Sequence, residues 1–211
     1  MTMENVRTPF HGIFQNLWFY LFVQKCFNTV FGLDRKINGT LKEYTEGKDV
    51  VLDFGCGTGE YTHTGKKIGI GVDINDEYLR YAHKTYKGER RSFLKMSAIA
   101  LGIKSLSVDV VYCSRFFHHL SDADIKIFLL EIGRVVKPGG KIVIFDGFDP
   151  GPSQPVVRFL LKNDRGAYIR SFDEMTALMN HNGAVGLEAR KVEYPGDPFI
   201  YGVWAFHPGR T

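Results

Sequence analysis

The sequence has little of several things that would assign it a role at once. Its 211 residues hold three cysteines, Cys26, Cys56 and Cys113. They are odd in number and widely spaced, and they form no CxxC or Cys/His pattern. That excludes a disulfide framework and a zinc site, so no metal is expected. A reducing cytoplasm is the expected setting. Long hydrophobic runs are missing too. The run Leu17 to Val23 is followed by Gln24, Lys25 and Asn28, far short of the roughly 20 apolar residues that span a bilayer. No small-residue cleavage site follows it, so no secretory leader is expected. Charge of one sign is scarce: 27 Lys and Arg against 23 Asp and Glu leave +4. The basic residues are scattered rather than clustered, which argues against a nucleic-acid partner. What is present is an apolar fraction of 44%, enough for a sizeable core and too much for a disordered chain.

Short apolar runs alternate with amphipathic stretches. Strands are expected at Val50–Asp53, Ile68–Asp73, Ser92–Met96, Val108–Cys113, Lys141–Asp146, Val185–Tyr194 and Phe199–Phe206. The middle ones are continuous apolar runs, as parallel strands buried on both faces require. Pro195-Gly196-Asp197-Pro198 separates the last two and predicts an antiparallel hairpin. Helices are expected between strands. Asn75 can cap one through Leu79 and Ala82, and Ser121 or Asp122 another through Ile125, Phe128, Leu129 and Ile132. Lys137-Pro138-Gly139-Gly140 stops that helix. Ser171 and Glu174 read as a capping box, with Gly183 ending the helix they start. After the first strand only a short helix fits, since few residues separate Gly59 from Ile68. The pattern predicts an α/β fold: a doubly wound, seven-stranded, mostly parallel sheet with a C-terminal antiparallel hairpin. Residues 1–48 precede it and are expected to form an N-terminal helical cap; 49–211 form the Rossmann-like domain.

Such sheets bind ligands at the carboxyl ends of their strands, near the switch in strand order. Here the first strand ends in Asp53 and opens into Gly55-Cys56-Gly57-Thr58-Gly59. Glycines let the backbone approach a ligand closely. A dinucleotide loop would place a third glycine where Glu60 stands, and a carboxylate there opposes a pyrophosphate, so an NAD-dependent oxidoreductase is disfavoured. The second strand ends in Asp73, which can accept hydrogen bonds from ribose hydroxyls, followed by Ile74, which can flank an adenine. The set suits a nucleoside bearing positive charge.

At this point the sequence resembles the class I S-adenosylmethionine-dependent methyltransferases, well over Val50 to Asp146 and loosely elsewhere. VLDFGCGTG is similar to the family's first motif, GVDIN to its second, SVDVVYCSRFFHHL to its fourth-strand motif and EIGRVVKPGGKIVIFD to its fifth-strand entry. The resemblance implies S-adenosylmethionine as cofactor. It implies a site built from Asp53, Gly55, Cys56, Gly57, Gly59, Asp73, Ile74, Ser97, Ala98 and Ser114. Gly55 and Gly57 would pass the methionine part, Asp53 would lie near the ammonium, Asp73 would hold the ribose and Ile74 would flank the adenine. Ser97-Ala98 stands where the family usually has an acid that bonds the adenine amino group. Cys56 and Cys113 also read as packing residues, since nothing marks them as reactive thiolates.

His118 and His119 are the candidate catalytic residues, as a pocket wall or a general base. Adjacent histidines in one loop rarely converge on one ion, which again argues against a metal. The amino-group methylases' (N/D/S)-P-P-(Y/F) tetrad is missing; Ser114-Arg115-Phe116-Phe117 stands there instead. That points to the small-molecule branch, which includes quinone and natural-product enzymes. The aromatic stretch from Phe10 to Phe31 suits packing on the sheet edge, a lid over an apolar or aromatic acceptor, with Trp18, Tyr20 and His118 as substrate contacts, or contact with a membrane surface. The opposing function class is a methyltransferase-fold binding or scaffold protein that has lost catalysis. Ser97 in place of an acid is its one hint, and the intact glycine loop with Asp73 argues against it.

Overall fold

The structure is a computed structural model and describes residues 21, 22, 25, 32–63, 65–97, 100–162, 168–195 and 197–209. Helix α1 (Leu33–Thr45) precedes strand β1 (Val50–Phe54). Then follow β2 (Ile68–Asp73), α2 (Asp76–Thr85), β3 (Arg91–Lys95), β4 (Val108–Ser114), a 3-10 turn at Phe117–His119 and α3 (Asp122–Val135). The chain continues through β5 (Val136–Gly147), α4 (Pro155–Lys162), α5 (Phe172–His181), β6 (Ala184–Glu193) and β7 (Ile200–Pro208).

The seven strands form one sheet in the order β3-β2-β1-β4-β5-β7-β6. All neighbours run parallel except β7, which is antiparallel to both β5 and β6. The strand order reverses between β1 and β4, where Asp53 pairs with Tyr112. The carboxyl ends of these two strands are the switch point.

Both faces are buried, which is why the middle strands read as unbroken apolar runs. On one face Leu52, Val111 and Ile144 pack with Ile125, Phe128 and Ile132 of α3 and with Met175 and Met179 of α5. On the other, Val51, Val110, Tyr112, Val143 and Phe145 meet Ile37 and Leu41 of α1. Burying each such side chain contributes about 1.5–3 kcal/mol. Helix α1 is therefore a layer of the sheet core.

Local chemistry explains the helix ends. The Asn75 side chain accepts from the Glu77 and Tyr78 N–H groups and starts α2. Ser121 does so for α3, accepting from Asp124 N–H. Ser171 and Glu174 make a complete capping box at the start of α5. Gly183, at φ 82°, follows its last turn. The Lys137–Gly140 stretch becomes the irregular start of β5, where the register shifts between Val108 and Val110.

One expectation is corrected. No helix occurs between β1 and β2 among the described residues; the segment is a series of turns. Gly55, Gly57 and Gly59 hold φ of 74°, 52° and 80°, outside the right-handed helical region. The residues that follow are tied down individually. His63 sits between Thr45 Oγ1 and Asn38 Oδ1 of α1, 2.8 Å from each. Tyr112 donates through its hydroxyl to the Tyr61 carbonyl and accepts from the His63 N–H. The place of a crossover helix is taken by this turn segment pinned to α1.

Candidate active site

The glycine loop is built by close approach. A Cβ on Gly55 would come within 2.6 Å of the Phe116 ring, and one on Gly59 within 2.6 Å of the Phe93 ring. Gly55 and Cys56 both donate through their N–H groups to the Val72 carbonyl, tying the loop to β2. Asp73 completes the tie. Its Oδ2 accepts the Gly57 N–H at 2.9 Å and its Oδ1 the Asn75 N–H at 2.8 Å. A carboxylate has about four acceptor positions, so two remain beside the loop. Ile74, next to it, is 52% exposed, an apolar face turned to solvent at the strand end.

Asp53 lies beneath the loop, buried, and accepts from the Thr62 hydroxyl at 2.7 Å. Burial raises its pKa to about 7, against the Thr62 hydrogen bond, which lowers it. Ser114, at the end of β4, is 8% exposed, and its Oγ has no hydrogen-bond partner among the described residues. An unmatched buried hydroxyl is costly unless a ligand or water satisfies it. Cys56 packs against Leu79, Ala82 and Phe93. Burial pushes its thiol up, so it is a packing residue in the loop.

Thus the structure brings Asp53, the glycine loop, Asp73, Ile74 and Ser114 to the adjoining carboxyl ends of β1, β2 and β4. Ser97 stands just beyond β3, half-buried, bridged to Ala100. Ala98, Trp18 and Tyr20 lie outside the described residues. His118 and His119 are on the 3-10 turn after β4, with ring centroids 4.1 Å apart.

Three groups at this edge went unforeseen. Asp146, at the end of β5 and 1% exposed, takes His118 Nδ1 on its Oδ1 at 2.7 Å. Its oxygens also accept the His118 and Gly147 N–H groups at 3.1 and 2.8 Å. Burial acts to raise its pKa, but the His118 charge and hydrogen bonds outweigh it and the pKa is lowered. Arg115, at φ 53°, places its guanidinium 5.3 Å from the Tyr61 ring centre. The Tyr61 hydroxyl donates to Asp34 Oδ1 at 2.5 Å. That contact sets the first turn of α1 at the same edge. A positive φ in a non-glycine residue is uncommon and clusters at functional sites, but a single sequence gives no sign of it.

Cavities of about 320 and 410 Å³ lie beside the β6–β7 turn and along α3 and β7. Neither is lined by the glycine loop, so neither marks this site.

Fold and edge together define an open α/β domain with a glycine loop and strand-end carboxylates at its switch point. Comparison with known proteins narrows this. Residues 52–144 match the family described as a methyltransferase domain. The chain is 31% identical over 144 residues to the demethylmenaquinone methyltransferase of Lactobacillus johnsonii, covering 64% of this chain and 56% of the relative. It is 27% identical over 143 residues to the O-methyltransferase rstn1 of Aspergillus nomiae, covering 63% of each. A solved Pyrococcus horikoshii protein shares the fold with a TM-score of 0.67 at 18% identity, over 84% of this chain and 90% of that one. Over residues 52–144 the chain is therefore similar to the class I S-adenosylmethionine-dependent methyltransferases that its motifs resemble. It spans about half the length of the curated relatives it matches.

The residues fit the cofactor of that class. Asp73 retains acceptor positions suited to a diol, and Ser114 offers an unmatched hydroxyl beside the loop. Loop backbone and carboxylates make a cradle suited to an amino-bearing cation rather than to a polyanion.

Proposed function

We propose that this protein transfers a methyl group from S-adenosylmethionine to a small, apolar or aromatic acceptor. The carrying observation is the Asp73–Gly57 hydrogen bond, which holds the loop shaped and the strand-end carboxylate beside it. In this reading Asp73 accepts from the ribose hydroxyls, Ile74 flanks the adenine, and Ser97 with Ala98 lies at its amino group. Gly55 and Gly57 pass the methionine part, with Ser114 beside them and Asp53 beneath. When bound, the cofactor supplies a methyl group activated by a cationic sulfur. The protein's part is to bind, align and exclude water, because in-line positioning supplies much of the rate.

Asp34 fixes the first turn of α1 to Tyr61, two residues beyond the glycine loop. Residues 1–31 lead into that turn. In this reading residues 1–48 form a cap, with Trp18 and Tyr20 touching the acceptor, and 49–211 the catalytic domain. The cap's aromatic residues suit an apolar acceptor, and segment 10–31 also suits contact with a membrane surface. No helix among the described residues is long and apolar enough to cross a membrane. A cytoplasmic small-molecule enzyme without a nucleic-acid partner fits the scattered charge. An inactive scaffold fits less well, since the loop and Asp73 are intact.

Isothermal titration tests the binding half. S-adenosylmethionine and S-adenosylhomocysteine are expected to bind with micromolar affinity and NAD not at all; tighter NAD binding overturns the reading. Labelled cofactor with cell extract, followed by mass spectrometry, then identifies the methylated product.

A further inference from the structure

We propose that Asp34, Asn38 and Thr45 of α1 form a clamp that sets the affinity of the glycine loop for S-adenosylmethionine, and that His63 is the positioning residue through which the clamp acts. This rests on the methyl-transfer reading and deepens it.

A loop rich in glycine has many conformations open to it, so its neighbours must impose the shape that binds. On the β2 side, Val72 and Asp73 do this through the Gly55, Cys56 and Gly57 amides. On the exit side no helical ladder takes over among the described residues. The Gly59 N–H donates to the Cys56 carbonyl at 2.9 Å and the Thr62 N–H to the Gly59 carbonyl at 3.2 Å. Three consecutive side chains then anchor the exit. The Tyr61 hydroxyl donates to Asp34 Oδ1 at 2.5 Å, and the Thr62 hydroxyl to Asp53 Oδ2 at 2.7 Å. The His63 ring lies 2.8 Å from both Thr45 Oγ1 and Asn38 Oδ1. The His63 N–H donates to the Tyr112 hydroxyl, which donates in turn to the Tyr61 carbonyl.

The spacing on α1 matches this use. Asp34, Asn38 and Thr45 recur at helical intervals and so form one stripe along the helix. Ile37 and Leu41 beside them are fully buried in the sheet core. The helix is thus seated on the sheet by its apolar residues and reaches the loop exit with its polar ones. Thr45, Asp53, Tyr61, Thr62 and Tyr112 are all buried. Apolar side chains at 38, 45 and 63 would serve packing alone. A buried polar network is satisfied in one arrangement, and any other leaves groups unmatched. It therefore fixes where residues 61–63 stand, and with them the loop that ends at Gly59.

The consequence is one for affinity. With the clamp intact the loop is held in the binding shape before the cofactor arrives. Without it that shape is one of several, and the apparent dissociation constant rises by the inverse of its population. Saturating cofactor selects the same shape again, so the clamp governs binding and leaves the filled site unchanged. By linkage, a cofactor that favours the clamped loop must also favour the seated helix. His63 acts through residues 61–63 and is a positioning residue.

The test uses the full chain and calorimetric titration with S-adenosylhomocysteine. His63→Phe keeps a ring and removes both nitrogens; it is expected to weaken binding by about 10- to 100-fold. His63→Gln, which can still donate and accept, should recover most of that loss. Thr45→Val keeps the shape and removes one contact, for a loss of about 3- to 10-fold. Combined with His63→Phe it should cost little more, because both changes break the same contact. A folding defect lowers the fraction of protein that titrates, whereas loss of the clamp lowers the affinity of a fraction that stays whole. Hydrogen exchange adds a reading on the parent itself. Bound S-adenosylhomocysteine is expected to slow exchange of the amides of residues 38–45 by about tenfold, and this protection should be lost in Thr45→Val combined with His63→Gln. Parental affinity in both Thr45→Val and His63→Phe, or α1 exchange in the parent that ignores the bound molecule, overturns the proposal. Should His63→Phe not fold, Thr45→Val and the parental exchange decide it. Failure of the parent to bind S-adenosylhomocysteine overturns the methyl-transfer reading instead.

Discussion

Asp73 reaches from the end of β2 to the backbone of Gly57 and holds the glycine loop in place at 2.9 Å. One carboxylate therefore shapes the loop and presents acceptors to whatever lies on it. A strand-end acid read from sequence is a solvated group whose loss costs the fold little. The two backbone bonds change that expectation.

Asp73→Ala is expected to lower stability without ligand by about 1–3 kcal/mol, the cost of leaving two loop N–H groups unmatched. Cofactor binding should weaken by about 1.5–3 kcal/mol, the range for hydrogen bonds to a charged group. Asp73→Asn should recover much of the stability, because an amide oxygen still accepts from Gly57, but less of the affinity. Chemical denaturation and calorimetric titration of the three proteins measure the two effects separately. Normal cofactor binding by Asp73→Ala would show that the ribose is held elsewhere.

Asp53 and His63 give the fold opposing responses to pH. Burial first, against the Thr62 bond, raises Asp53 from 3.8 to about 7. The stability linked to its protonation is present below 3.8 and is lost as pH rises through about 7. Burial first, then Arg91 and Lys42, lowers His63 from 6.5 to about 4. Its contribution is present above 6.5 and is lost as pH falls through about 4. Between about pH 4 and 6.5 the two offset each other, and above 6.5 only Asp53 acts. Asp53→Asn should therefore gain melting temperature relative to the parent as pH rises from 6 to 8. A difference that stays flat across that range would place Asp53 in its ordinary ionised state.

Cys56 and Cys113 are both buried. Burial pushes both thiols up, to well above the ordinary value at Cys113. Neither should react with iodoacetamide in the native protein, and both should react after denaturation. Site-resolved mass spectrometry checks each position. Native labelling at Cys56 would mean that the glycine loop opens.

The sheet was legible because its signals are local. Unbroken apolar runs mark buried parallel strands, and Ile68–Asp73 is found with both expected ends. Asn75, Ser121 and the Ser171–Glu174 pair start helices through contacts within three residues. The antiparallel turn between β6 and β7 likewise lies within a few residues. The His118–Asp146 pair joins residues 28 apart on two strand ends; only the sheet order brings them together, and no periodicity encodes it. The turns between β1 and β2 escaped for a related reason. A short crossover reads as a short helix unless it is known that α1 covers the face, and that is a long-range fact. Ser97 and Ser114 also show the limit: their types permit a polar contact, but only the fold shows that Ser114 Oγ is buried without a partner.

The chain before β1 should respond differently to truncation on either side of residue 32. Helix α1 buries Ile37 and Leu41 completely, and its Asn38 and Thr45 hold His63. Removing residues 1–45 should therefore expose one face of the sheet and produce aggregation. Removing only 1–31 leaves α1, its Asp34–Tyr61 bond and the core contacts intact. That shorter truncation is expected to keep the fold and to bind S-adenosylmethionine, while transfer to an apolar acceptor is lost, because the cap would shield the cleft and touch the acceptor. Thermal melting, titration and the labelled-methyl assay read the three properties in turn. A Trp18→Ala, Tyr20→Ala double variant separates the cap from plain packing. Lower turnover at an unchanged melting temperature supports the cap. A lower melting temperature with unchanged turnover per folded molecule assigns these aromatics to packing and rejects it.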